Sequence, residues 1–220
     1  MRLFLASNNL GGFGSKLSEM VGDNRKTLAI FNARDYKTKE ERIASVQKTL
    51  ANLSAIDLEP EELNLKQYFG ESDGLRSYID KYNPGCVFID GGNIYLLATA
   101  LYLSGMDEIL RRDLTGDKYV YAGYSAGAIV ASKDLSILAD SFGKRRGDLV
   151  ETAVEFYGEV YQKGLGIIDE YIIPHMDRED FAVASTKAFN DVSAANFTPI
   201  PLNDSDVAIV DNADMEIFKS

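Results

Sequence analysis

Residues 119–132, YVYAGYSAGAIVAS, run an apolar strand into Gly123-Tyr124-Ser125-Ala126-Gly127 and then into a helix-like segment. Two readings compete. Small residues around a serine suit a tight strand-to-helix junction that carries a serine by accident, and they equally suit a reactive serine held on a sharp turn. The second reading needs glycine or another small residue two positions before and after the serine, because the strand reverses with the serine backbone strained and flanking side chains would collide. Gly123 and Gly127 stand at those positions. Such a turn exposes the Ser125 hydroxyl and sets the Ala126 N–H at a helix N-terminus, where unpaired donors and the helix dipole favour a developing oxyanion.

The surrounding chain supplies the frame that an elbow needs. Short apolar runs alternate with helix-like segments, the pattern of a mostly parallel α/β sheet with helices on both faces. Residues 2–7 (RLFLAS), 27–32 (TLAIFN), 86–92 (CVFIDGG) and 119–123 (YVYAG) read as strands, apolar on both faces as buried parallel strands are. Ile43, Val46, Leu50 and Leu53 recur at helical spacing and predict an amphipathic helix over 39–53. Two shorter helices are expected over 94–103 and 106–114, separated at Ser104-Gly105. Residues 133–166 lack a clean period and read as loops with one element around 151–161. Order returns with a strand over 171–175 (YIIPH), a helix over 179–189, and a closing hairpin of VAIVD and MEIFK across Asn212-Ala213-Asp214. No repeat or linker interrupts the pattern, so residues 1–220 are expected to form one domain.

Composition narrows the function classes. With 220 residues and 45% hydrophobic content the chain can build a sizeable core. A formal charge of -11 argues against nucleic acid and against an anionic membrane surface, since nothing would neutralise rows of phosphates. The short basic run GKRRG (143–147) reads as a solvated loop, or else as a receptor for a substrate carboxylate through Lys144, Arg145 and Arg146. One cysteine, Cys86, excludes an internal disulfide and a multi-cysteine metal site. The opening residues hold too few apolar positions for a signal-peptide core, and a cytoplasmic location is expected.

Three further positions bear on chemistry. FIDGGNIYLL places Asp90-Gly91-Gly92-Asn93 between a strand and a helix, so Gly92 can offer a second backbone N–H to an oxyanion, with Asn93 as a helix cap or a substrate contact. The single histidine, His175, ends a strand that in a parallel sheet opens on the same carboxyl edge as the elbow and the glycine turn, and it is the one imidazole that could activate Ser125. A metal reading of HMDRED fails, because one histidine beside Asp177, Glu179 and Asp180 is explained by acids at a helix start. An acid must also orient the histidine. Asp134, Asp140, Asp148 and Asp169 precede it, Asp204, Asp206 and Asp211 follow it, and spacing does not choose among them.

With the glycine turn, the elbow and the histidine in this order, the chain resembles the aspartyl dipeptidase and cyanophycinase family of serine peptidases, family S51. FIDGGNIYLL looks like that family's oxyanion turn, GYSAGAIV like its elbow, and IIPHMD like its histidine strand. The resemblance implies a flavodoxin-like fold related to class I glutamine amidotransferases, a Ser-His-acid triad and no cofactor. It implies Ser125 and His175 as catalytic residues, with Gly92 and Ala126 as oxyanion donors. In the family a glutamate follows the histidine, just before a closing apolar strand. PLNDSDVAIV puts Asp204 there, one methylene shorter, with Asp206 and Asp140 in reserve.

An ordinary α/β-hydrolase would place its acid before its histidine. An amidotransferase would carry cysteine at the elbow, whereas Cys86 lies in a strand and reads as core. The expected activity is cleavage of short peptides at an aspartyl or β-aspartyl residue, with Arg178 and the 144–146 loop as candidate receptors for the acidic group. A ligand-binding protein on the same scaffold and an esterase-like hydrolase are the alternatives, and a homodimer is left open.

Overall fold

The computed structural model describes residues 1–10, 12–142, 148–212 and 214–220. The basic run 143–147 therefore lies outside the described residues, as does Ala213 at the tip of the last hairpin. The strands are β1 (Arg2–Ala6), β2 (Lys26–Ile30), β3 (Glu59–Glu62), β4 (Cys86–Ile89), β5 (Val120–Tyr124), β6 (Tyr171–Ile173), β7 (Pro199–Pro201), β8 (Val207–Asp211) and β9 (Asp214–Phe218). Among the described residues, seven of them form one sheet in the order β3-β2-β4-β5-β1-β8-β9. The first five of these are mutually parallel, and β8 and β9 add an antiparallel hairpin beyond β1.

Strand residues alternate between two cores, which is why the runs read as apolar throughout. Leu3, Leu5, Leu28, Ile30, Val87, Ile89 and Tyr121 face one side. That side is covered by α3 (Ser72–Tyr82), α4 (Ile94–Ser104), α5 (Met106–Thr115), α6 (Ala126–Ile129), α7 (Leu149–Tyr157) and α8 (Ala182–Ala194). Phe4, Ala6, Ala29, Phe31, Phe88 and Ala122 face the other, under α1 (Gly14–Val21) and α2 (Lys39–Ser54). This is the expected flavodoxin-like α/β architecture with helices on both faces. Cys86 is fully buried on the α1/α2 side, where burial pushes its thiol up to about 12, so it is a core residue.

Local chemistry sets the helix limits. α2 opens on a capping box, with the Thr38 hydroxyl accepting from the Glu41 N–H and the Glu41 carboxylate accepting from the Thr38 N–H. Its buried stripe is Val46, Thr49 and Leu53, while Ile43, expected in that stripe, stands exposed. α4 and α5 separate at Gly105, whose φ of +74° suits glycine. α8 begins three residues later than expected because residues 176–181 form turns, with the Arg178 N–H bonded to His175 O and the Phe181 N–H to Arg178 O. α1, α3 and β3 go beyond the elements expected. β3 is EPEE, an acidic edge strand half exposed in alternation, which pairs through its backbone and needs no apolar run.

One expectation is corrected. The strand leading to His175 does not join the main parallel sheet. β6 pairs instead with β7 in a separate two-stranded parallel sheet, Tyr171 opposite Pro199 and Ile173 opposite Pro201. β7 reads PIP, so only Ile200 carries an N–H, and Pro174 ends β6 without a donor. β7 thus has one donor to offer, and among the described residues the ladder extends no further than these two strands.

Candidate active site

The carboxyl ends of β2, β4, β5 and β1 are neighbours in the sheet and open on one edge, the usual position of a site in a parallel α/β fold. β2 delivers Arg34, β4 delivers Asp90-Gly91-Gly92, β5 delivers Ser125, and β1 delivers Ser7 and Asn8. A cleft of about 690 Å³ lies there, with Ser125, His175, Gly92, Arg34 and Arg178 among its walls.

Ser125 has φ +50° and ψ −116°, a strained conformation for a residue with a side chain. The turn holds because backbones close in on it. A Cβ on Gly127 would be driven into Ile89 O, and one on Gly123 into Gly127 O. The Ser125 N–H bonds Ala6 O at 3.1 Å, and the Tyr121 hydroxyl donates to Gly127 O at 2.5 Å from beneath. Gly92, at φ +151°, lies so near Ala33 O that a Cβ would collide with it. Among the described residues, neither the Gly92 N–H nor the Ala126 N–H has an acceptor.

The structure brings three predicted side chains into a row. Ser125 Oγ lies 3.0 Å from His175 Nε2, and His175 Nδ1 lies 2.5 Å from Asp204 Oδ1. A carboxylate only accepts, so Nδ1 carries the proton and Nε2 accepts from the serine hydroxyl. The small second sheet sets this spacing. Leu202 N–H bonds Ile173 O and Met176 N–H bonds Leu202 O, which holds the chain after β7 close to the chain after β6. That approach brings the Asp204 carboxylate within hydrogen-bond reach of the imidazole. His175 is 3% exposed, at φ +63°, with its ring 4.1 Å from that of Phe181 and its N–H bonded to Ser7 Oγ at 2.8 Å. The second oxygen of Asp204 accepts from Asn8 Nδ2 at 3.1 Å, and its backbone N–H bonds Asp177 at 2.8 Å.

The reserves lie elsewhere. Asp206 accepts from the Asn203 N–H and closes a turn, and Asp140 follows the 3-10 turn Leu135–Leu138. Asn93 borders the cleft, but its side chain is engaged as the α4 cap, accepting from Tyr95 and Leu96 N–H and donating to Leu149 O. Arg178 is bidentate to Asp180, at 3.0 and 2.9 Å, and stands 3.7 Å from Asp204.

Sequence reasoning missed Ser7, Asn8 and the trio of Arg34, Asp90 and Tyr124. Arg34 Nε and Nη2 both bond the fully buried Asp90 carboxylate, and Nη2 also bonds Tyr124 Oη at 2.6 Å. Burial alone would lower the Arg34 pKa; Asp90 and Tyr124 overcome that and raise it, so Arg34 stays cationic. The available signal was position, since each of these residues closes a strand whose carboxyl end opens on the elbow edge or lies in the turn that follows one.

A hydroxyl on a strained strand-to-helix elbow, an imidazole against it and a carboxylate behind, on the carboxyl edge of a flavodoxin-like sheet, define a class: α/β hydrolytic proteins that present a serine. The sequence matches peptidase family S51 over residues 4–218. The chain belongs to that family and is a serine-type peptidase. Two solved structures share the fold. A candidate peptidase E protein from Listeria monocytogenes EGD-e has a TM-score of 0.77 at 18% identity, covering 100% of this chain and 98% of its own. A peptidase from an acI-B1 Actinobacterium has a TM-score of 0.70 at 17% identity, covering 100% and 87%. No curated protein matches the sequence. Among the described residues, no helix is long and apolar enough to cross a membrane.

Proposed function

We propose that this peptidase cleaves short peptides after an aspartyl or β-aspartyl residue, with Ser125, His175 and Asp204 as its catalytic triad. The observation that carries the reading is the hydrogen-bonded row from Ser125 Oγ through both ring nitrogens of His175 to Asp204. Ser125 attacks the scissile carbonyl as His175 Nε2 takes its proton. The imidazolium, steadied by Asp204, then protonates the leaving amine. Water enters, gives a proton to His175 and releases the acid from the ester. The Gly92 and Ala126 N–H groups receive the oxyanion in both halves.

The substrate class follows from the family resemblance and from the cationic wall of the cleft, where Arg34, Lys37 and Arg178 stand. The test is a fluorophosphonate probe with peptide mapping, followed by a panel of aspartyl, asparaginyl and alanyl dipeptides and matched esters. Label on Ser125 that is lost in His175→Ala, together with faster turnover of aspartyl peptides than of the others, is the expected result. Label on another residue would sink the triad, and equal turnover across the panel would sink the specificity.

A further inference from the structure

We infer that Arg34 is the residue that selects the substrate, its unshared guanidinium nitrogen receiving the carboxylate of the residue that supplies the scissile carbonyl. The inference rests on the peptidase reading above and names the receptor that reading lacks.

Arg34 ends a 3-10 turn at the carboxyl end of β2, beside β4 in the sheet. Two of its nitrogens are held from behind, Nε and Nη2 by Asp90 and Nη2 by Tyr124. Nη1 has no partner among the described residues, and the side chain is 18% exposed on the wall of the cleft that holds Ser125 and His175. A guanidinium fixed at one end and open at the other offers donors with little ordering left to do, which suits it to a carboxylate.

Its backing also ties it to the reacting serine. Tyr124 directly precedes Ser125, and Asp90 directly precedes Gly91. A Cβ on Gly91 would meet the Tyr124 ring at 2.9 Å and Ser125 Cβ at 3.1 Å, so the glycine turn packs directly on the elbow. Arg34 and Ser125 therefore border the same cleft, which a substrate must enter to present its carbonyl to the serine.

The other charges on that wall are committed. Arg178 faces Asp180 and Asp204 and lies over the Phe181 ring. Lys37 donates to Ser45, and Glu41 closes the α2 capping box. A chain of net charge -11 repels acidic peptides at a distance, so their selection needs a cation in the cleft itself.

The experiment compares kcat/KM for Asp-Leu, β-Asp-Leu and the neutral isostere Asn-Leu in wild type, Arg34→Lys and the double variant Arg34→Gln/Asp90→Asn. The double variant leaves no unpaired buried charge behind, so folding is preserved, and fluorophosphonate labelling in the same samples reports whether Ser125 still reacts. Loss of one charge-assisted hydrogen bond predicts a fall of about 10- to 100-fold in the preferred aspartyl-to-asparaginyl ratio, with Arg34→Lys between the two and Ser125 still labelled. A preference that survives in the double variant overturns the role of Arg34 and leaves the peptidase reading standing. A collapse of labelling as well overturns it in favour of a bracing role. Wild type without any aspartyl preference overturns both this inference and the proposed specificity, and Arg178→Gln that alone erases the preference assigns the receptor to Arg178.

Discussion

Asp90 and Asp113 are each fully buried and each face an arginine, at opposite edges of the same sheet. At the carboxyl edge, Asp90 shares the Arg34 guanidinium with the Tyr124 hydroxyl, and one nitrogen of that guanidinium is left to the cleft. At the amino edge, Asp113 on α5 is surrounded. Arg76 grips both oxygens at 3.0 and 2.8 Å, Lys118 stands 3.1 Å away, and the Tyr119 hydroxyl lies 3.4 Å off. The first arrangement has more donors than its carboxylate engages; the second directs several donors to a single acid. A buried ion pair can thus serve a site when its arginine also lines the cleft, as Arg34 does, and acts as a fastener between elements when its spare donor is itself buried, as Arg76 Nε is. Asp113 joins α5 to α3 and to the start of β5, and nothing more.

The largest expected effect lies at the carboxyl edge. Asp204→Asn keeps the shape of the side chain but weakens its hold on the His175 tautomer, and kcat/KM on a peptide substrate should fall about a thousandfold or more if the proposed triad operates. Urea unfolding should change little, because Asp204 is partly exposed and its second oxygen faces Asn8 and solvent. Equal losses from Asp206→Asn would transfer the role to that acid and blur the contrast between site and fastener.

Asp113→Ala should do the opposite. It leaves Arg76, which is 17% exposed, with only the exposed Asp80 at 2.9 Å as an acid partner, and should cost about 3 kcal/mol of stability while leaving kcat/KM of the folded enzyme unchanged. Chemical denaturation and steady-state kinetics on one preparation separate the two. A loss of activity in step with stability would mean that the two edges are not independent.

The same carboxylate gives a smaller effect through pH. Burial alone would raise the Asp113 pKa, but Arg76 and Lys118 lower it below its ordinary value. A lowered folded pKa contributes stability that is present above the unfolded value, about 3.9, and lost as pH falls through the folded one. The acid limb of a stability profile should therefore be shallower in Asp113→Asn than in wild type below about pH 4. Parallel profiles would remove Asp113 from the acid response.

The two edges also differ in how much of each was legible. Ser125, Gly92 and His175 could be proposed from sequence because the chemistry proposed for them needs rare residues in a fixed local pattern: two glycines four apart, a glycine pair after a strand, the single histidine. Asp204 was reached through family pattern, not spacing, since seven aspartates could have served. Arg34 and Ser7 were not legible, because an arginine or serine after a strand is ordinary until the sheet order makes β2, β4, β5 and β1 neighbours. The α/β class and the main strands were plain from buried apolar runs. The second sheet was not, because YII and PIP carry no sign of which edge they pair with, and β3 was missed because an edge strand paired through its backbone leaves acidic residues free to fill it. Ile43 reads as core on spacing alone, yet α2 turns that position toward solvent.

The smallest effect sets two buried serines against each other. Ser7 Oγ accepts the His175 N–H at 2.8 Å and lies 3.4 Å from Leu202 O, so it ties the histidine turn to the end of β1. Ser104 Oγ accepts the Met106 N–H at 3.3 Å and donates to Ala100 O, at the break between α4 and α5. Replacement of either by alanine leaves a backbone N–H without its side-chain acceptor and should cost about 1–2 kcal/mol of stability. Only Ser7→Ala frees the backbone of the proposed base, so it should also lower kcat about tenfold with KM little changed, the signature of a group that acts on the reacting geometry rather than on binding. Fluorophosphonate labelling should slow by a similar factor in Ser7→Ala and stay at the wild-type rate in Ser104→Ala. If both variants lose stability and neither loses labelling rate, His175 does not depend on Ser7 for its position, and Ser7 is a fastener like Ser104.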